Sequence, residues 1–64
     1  MGEDFGAWED PGGDLWKILW DDGAVIARAI TSTLEPKRIA SVKNWARAVV
    51  ETEYFTKENG WKPR

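Results

Sequence analysis

The stretch Leu15-Trp16-Lys17-Ile18-Leu19-Trp20-Asp21-Asp22-Gly23-Ala24-Val25-Ile26-Ala27-Arg28-Ala29-Ile30 joins two apolar runs through an Asp-Asp-Gly break. Read as one helix, it aligns Leu15, Ile18, Leu19, Asp22, Val25, Ile26, Ala29 and Ile30 on a face that is apolar but for Asp22. That reading turns Trp16 and Trp20 outward and sets Gly23 mid-helix, at about 1 kcal/mol relative to alanine. Read as a hairpin with Asp22-Gly23 as a two-residue type I′ loop, it pairs Trp20 with Val25, Leu19 with Ile26, Ile18 with Ala27, Lys17 with Arg28 and Trp16 with Ala29. One face then holds Trp16, Ile18, Trp20, Val25, Ala27 and Ala29, large rings opposite small side chains, ready to be covered by a helix. The hairpin removes every penalty of the helical model and is the preferred reading.

Upstream, Asp10-Pro11-Gly12-Gly13 is a turn, because proline presets φ and glycine supplies positive φ freely. Downstream, Thr31-Ser32-Thr33 offers capping hydroxyls ahead of Leu34-Glu35-Pro36, and Ile39, Val42 and Ala46 recur at helical spacing. The expectation is a helix over about 34–46. Residues 48–55 are β-branched and aromatic enough for a fourth strand, yet Val49, Val50 and Glu53 also continue the helical register. Asn59-Gly60 suits a helix C-cap or another turn. The predicted architecture is a single α+β domain of order βββαβ: a meander over about 4–9, 14–20 and 24–31, the helix, a fourth strand, and a loose tail over 57–64. An all-α helical hairpin is the alternative.

A chain of 64 residues buries only about 60% of its unfolded surface, so its core is marginal. With no cysteine and no histidine, disulfides, thiolate or imidazole metal sites and Cys or His catalysis are excluded, which leaves self-association as a staple. No apolar run approaches the roughly 18 residues of a membrane span, and the start of the chain is acidic. A soluble, cytoplasmic protein is expected. Charge is uneven: residues 1–22 carry a net −6 and residues 23–64 a net +4. Two halves that neutralise each other, within the fold or across a dimer, explain this more simply than a nucleic-acid surface.

Trp8-Glu9-Asp10, Leu15-Trp16-Lys17-Ile18-Leu19, Asp22-Gly23-Ala24-Val25-Ile26-Ala27 and Ile39-Ala40-Ser41-Val42-Lys43-Asn44 together resemble the YegP-like family of small domains of unknown function. The similarity spans about residues 5–53. It implies a βββαβ repeat and, for single-repeat forms, an obligate dimer, with no catalytic residues to transfer. Asp22 stands where the family turns on Asn, and Arg28-Ala29-Ile30-Thr31 replaces its Ser and Tyr after the third strand. Asn44 leads into Trp45-Ala46-Arg47 where the family has proline, which puts the helix end in question.

Five tryptophans in so short a chain read first as core or dimer seam, and second as platforms for stacking ligands. Leu15, Leu19, Ile26 and Ile30, on the second face of the hairpin, are too apolar for open water and are the expected dimer interface; Trp45, off the Ile39/Val42/Ala46 stripe, joins them as a partner contact. Lys37, Arg38, Lys43 and Arg47 make the predicted helix basic and are the candidate nucleic-acid contacts. The two in its first turn oppose the helix dipole. The pairs Glu3-Asp4, Glu9-Asp10 and Asp21-Asp22 lack the ligand spacing of a calcium loop and read as solvated turns and edges. The sequence therefore predicts no catalytic, cofactor or metal residue. It predicts a homodimerising interaction module, with a protein partner possible and nucleic acid the alternative.

Overall fold

The computed structural model describes residues 3–64. The strands are β1 (Glu3–Glu9), β2 (Leu15–Asp21), β3 (Ala24–Ala29), β4 (Lys37–Ser41) and β5 (Lys62–Pro63), with one helix, α1 (Trp45–Asn59), between β4 and β5. They form one antiparallel sheet in the order β4-β3-β2-β1-β5, and α1 packs on one side of it over β2, β3 and β4. The class is α+β as expected, and the all-α hairpin is ruled out.

The β2–β3 hairpin has the expected register throughout, from Trp16↔Ala29 to Trp20↔Val25. Asp22 and Gly23 both take positive φ, 51° and 76°, which is the type I′ geometry matched to strand twist. Gly6, at φ 85°, lets β1 bulge between Asp4 and Ala7, and its amide donates to Asp4 Oδ1 at 2.7 Å. The β1–β2 turn is organised by Asp10. Its Oδ1 accepts the Asp14 amide at 2.9 Å and its Oδ2 the Trp16 indole N–H at 3.0 Å.

The second half of the chain corrects the expectation three times. Residues 34–46 do not form the helix: Lys37–Ser41 is the fourth strand, paired with β3 through Val25↔Ala40, Ile26↔Arg38 and Ala27↔Lys37. The capping hydroxyls serve elsewhere, Thr31 Oγ1 accepting from the Leu15 amide and Ser32 Oγ from the Leu34 amide. Pro36 biases Glu35 toward extended backbone, and Lys37 and Arg38 no longer oppose a helix dipole.

Residues 48–55, expected as a strand, lie inside α1. Asn44, with extended φ and ψ, caps the helix by accepting the Arg47 amide at 2.8 Å. Past its end Gly60 takes φ 71°, the Gly60 amide donates to the Lys57 carbonyl and the Trp61 amide to the Thr56 carbonyl, a Schellman arrangement. Ala48, Thr52 and Thr56 at i, i+4 and i+8 are the buried stripe, small enough to seat the helix close on the sheet. Packing of that stripe overrides the strand propensity of Val49, Val50 and Tyr54.

The tail over 57–64 is not loose. Trp61 is 8% exposed, its ring 5.5 Å from Trp16 and 5.0 Å from Phe55. Pro63 and Lys62 pair with Trp8 and Glu9, and the Arg64 amide donates to the Ala7 carbonyl. The core is Trp16, Ile18, Val25 and Ala27 from the hairpin, closed by Ala48, Val42 and Trp61.

Candidate functional site

Strand alternation gives the sheet two unlike faces. Under α1 lie Trp16, Ile18, Val25 and Ala27, all buried. On the far side, which no element of the described chain covers, Leu19 stands directly across from Ile26, and Leu15 across from Ile30, whose amide donates to the Leu15 carbonyl at 2.8 Å. Between these two aliphatic rows runs a cationic one, Lys17 across from Arg28. Leu15, Leu19 and Ile26 are half-buried and Ile30 is 51% exposed.

Charge on this face is unbalanced. Its bases are Lys17, Arg28, Arg38, Lys62 and Arg64, placed by the ladder and, for Arg64, by its ion pair with Glu9 at 3.0 Å. Its acids are Asp4, Glu9 and Asp21, so the described strands give this face a net +2 on a chain of net −2. Lys17 is paired with Asp4 at 2.9 Å, and this contact, then the Gly6 amide, lowers the Asp4 pKa. Among the described residues Arg28, Arg38 and Lys62 have no carboxylate within ion-pair distance; Arg38 meets only Ser41 Oγ, at 3.5 Å.

The expected interface residues are therefore divided. Leu15, Leu19, Ile26 and Ile30 share the helix-free face, whereas Trp45 opens α1 on the other side. There its ring stacks on Phe5 at 4.8 Å and 3° and lies 6.0 Å from Trp20, although it remains 43% exposed. The four bases expected on one helix are scattered. Lys37 reaches over the Trp16 ring at 5.3 Å on the helix side, while its neighbour Arg38 points to the open face. Lys43 lies in the β4–α1 loop and Arg47 pairs with Glu51 along the helix at 3.4 Å. Trp8, Trp16, Trp20, Trp45 and Trp61 all belong to the helix side, and none is on the sheet surface where those cations lie.

Elsewhere, a recess of about 200 Å³ lies between the β1–β2 turn and the end of α1, lined by Glu9, Asp10, Pro11, Gly60 and Lys62. Its two carboxylates are engaged, Glu9 with Arg64 and Asp10 with the Trp16 indole, whose N–H lowers the Asp10 pKa ahead of the Asp14 and Gly12 amides and the nearby Lys37 charge. No group of three or more metal-ligating side chains occurs among the described residues. No helix among them is long and apolar enough to cross a membrane.

The residues that sequence reasoning passed over are Arg28, Lys62 and Arg64. Lys17 and Arg28 were readable as a cross-strand pair between two aliphatic pairs; Lys62 and Arg64 depend on β5, which no local signal announces. Comparison of the chain with protein-family models, curated proteins and solved structures returns no match.

Proposed function

We propose that this chain is a small, non-enzymatic interaction module that docks a protein partner on the helix-free face of its sheet. The observation that carries the reading is the alternation on that face: aliphatic pairs Leu15/Ile30 and Leu19/Ile26 flanking Lys17/Arg28, with Arg28 lacking a counter-charge among the described residues. Aliphatic side chains on an uncovered sheet face supply contact area, and unneutralised arginines supply specificity and orientation. The edges are less suited to strand addition, since β4 is bulged, follows Pro36 and carries Lys37 and Arg38, and the opposite edge is the two-residue β5, beyond which β1 is bulged at Gly6.

A homodimer through two copies of this face is the symmetric form of the proposal. A two-fold axis parallel to the strands would set Leu19 over Ile26 and Asp4 toward Arg38, but it would also set Lys17 against Arg28 of the second copy. Self-association by this route is expected only where salt screens that row. Nucleic acid is the weaker reading, because the open face offers cations without any aromatic platform for bases.

The test places a photo-reactive residue at Ile26 and, separately, at Tyr54 on the outer side of α1, in the native host. Discrete adducts from position 26 and none from position 54 are expected. Adducts confined to position 54, or none from position 26, would overturn the reading. Light scattering over a range of concentration and salt reports the self-associated form.

A further inference from the structure

We propose that the occupant of the helix-free face is an acidic amphipathic helix of a partner protein, one that reads aliphatic-x-x-x-(Asp/Glu)-x-x-x-aliphatic along its contact stripe. This rests on the docking-face reading above and names the partner's chemistry. Along β2 and β3 the three side-chain rows, Leu15/Ile30, Lys17/Arg28 and Leu19/Ile26, succeed each other every two residues, or about 6.8 Å. A helix laid along the strands presents side chains four residues apart every ~6 Å. Residues i, i+4 and i+8 of such a helix would thus meet the three rows in turn, aliphatic, carboxylate, aliphatic.

The other face of this sheet already accepts a helix. Ala48, Thr52 and Thr56 of α1, at i, i+4 and i+8, are its buried stripe over β2, β3 and β4. A second helix would bring to Arg28 and Arg38 the carboxylates they lack among the described residues.

A second copy does not fit this description. The exposed stripe of α1 is Ala46, Val50 and Tyr54, which would set the aliphatic Val50, not a carboxylate, against Lys17 and Arg28. Phosphate backbones would satisfy the arginines but leave the Leu and Ile rows without apolar contacts, so a protein segment is favoured over nucleic acid.

The experiment titrates the ¹⁵N-labelled chain with three helix-stabilised peptides: Leu-x-x-x-Glu-x-x-x-Leu on a neutral scaffold, its Glu→Lys form and its double Leu→Ser form. The acidic peptide is expected to shift the Leu19, Ile26 and Arg28 amides and to bind about tenfold or more tightly than either control. Arg28→Glu, an exposed substitution, should reverse the preference toward the lysine peptide, and Arg28→Ala should abolish it without reversal. Equal binding of all three peptides, no shift on this face, or displacement of the acidic peptide by single-stranded DNA at matched concentration would overturn the proposal. A display selection with random helical sequences separates the two levels. Binders that map to this face but carry no acid sink the helix chemistry and leave the docking face standing. The absence of any binder there, with no adducts from position 26, sinks both.

Discussion

The two sides of this sheet are made from alternate residues of the same strands, and they differ in almost every physical respect. On the helix side Trp16, Ile18, Val25 and Ala27 are sealed to 1% exposure or less, and all five indoles gather there. On the open side Leu15, Leu19 and Ile26 are only half-buried and Ile30 is exposed, and charges stand between them. In a chain of 64 residues one packed layer is about all the apolar surface can build, so stability is concentrated on one face. The second face is then free to carry side chains chosen for another purpose.

The largest expected effect separates the faces directly. Trp16→Ala removes a fully buried ring and is expected to cost about 3–5 kcal/mol, a large share of the stability of a domain of this size. Leu19→Ala on the open face is expected to cost about 1 kcal/mol or less, since the half-exposed side chain leaves no closed cavity. Urea denaturation of both variants checks the pair; equal losses would mean that the open face is core. Next in size is Trp61→Ala, expected to cost about 3 kcal/mol although it lies three residues from Arg64, because its ring fills the gap between Trp16 and Phe55. A cost near zero would restore the loose tail.

That tail shows where a sequence stops being legible. The hairpin was readable because its signals are local: Asp22-Gly23 meets a positive-φ requirement, and the alternation on either side fixes the register. The fourth strand was not, because Ile39, Val42 and Ala46 satisfy a helical period as well as Ile39 and Ala40 satisfy an edge strand. What decides between them is a ladder to Val25, Ile26 and Ala27, more than ten residues away. The true helix did announce its ends, in Asn44 and in Asn59-Gly60, but β-branched Val49 and Val50 masked its body. At the candidate site the aliphatic rows were visible in the hairpin pairing, whereas the charge balance of the face required the placement of β4 and β5.

A smaller effect probes the quality of packing on the helix side. The Thr52 hydroxyl is buried on a residue 2% exposed and has no hydrogen-bond partner among the described residues, while Thr56 Oγ1 bonds back to the Thr52 carbonyl at 2.9 Å. Thr52→Val keeps the shape, has similar helix propensity and removes an unsatisfied polar atom. It is expected to stabilise the chain by about 1 kcal/mol, seen as a Tm rise of about 5 °C. The same substitution at the exposed Thr33 should change Tm little, and a loss at position 52 would show that the hydroxyl has a partner in solution.

The smallest effect compares one carboxylate from each side. Asp10 is held below the ordinary aspartate range, about 3.9, by the Trp16 indole N–H and backbone amides, and Asp4 by Lys17 and the Gly6 amide. A depressed carboxylate stabilises the fold fully above its unfolded pKa, and that contribution is lost as pH falls through the folded value. Asn at either position should therefore flatten the loss of stability below about pH 4. The causes differ, however. The donors to Asp10 are largely fixed dipoles, whereas the Lys17–Asp4 pair has both side chains about half exposed, 51% and 50%, and is open to screening. Raising salt from about 0.02 M to about 0.5 M, which shortens the Debye length several-fold, should reduce the effect of Asp4→Asn and leave most of that of Asp10→Asn. Urea midpoints across the acid limb at the two salt levels measure both. Equal salt sensitivity would show that Asp10 is governed by the Lys37 charge, and that the polar contacts of the packed face are no better shielded than those of the open one.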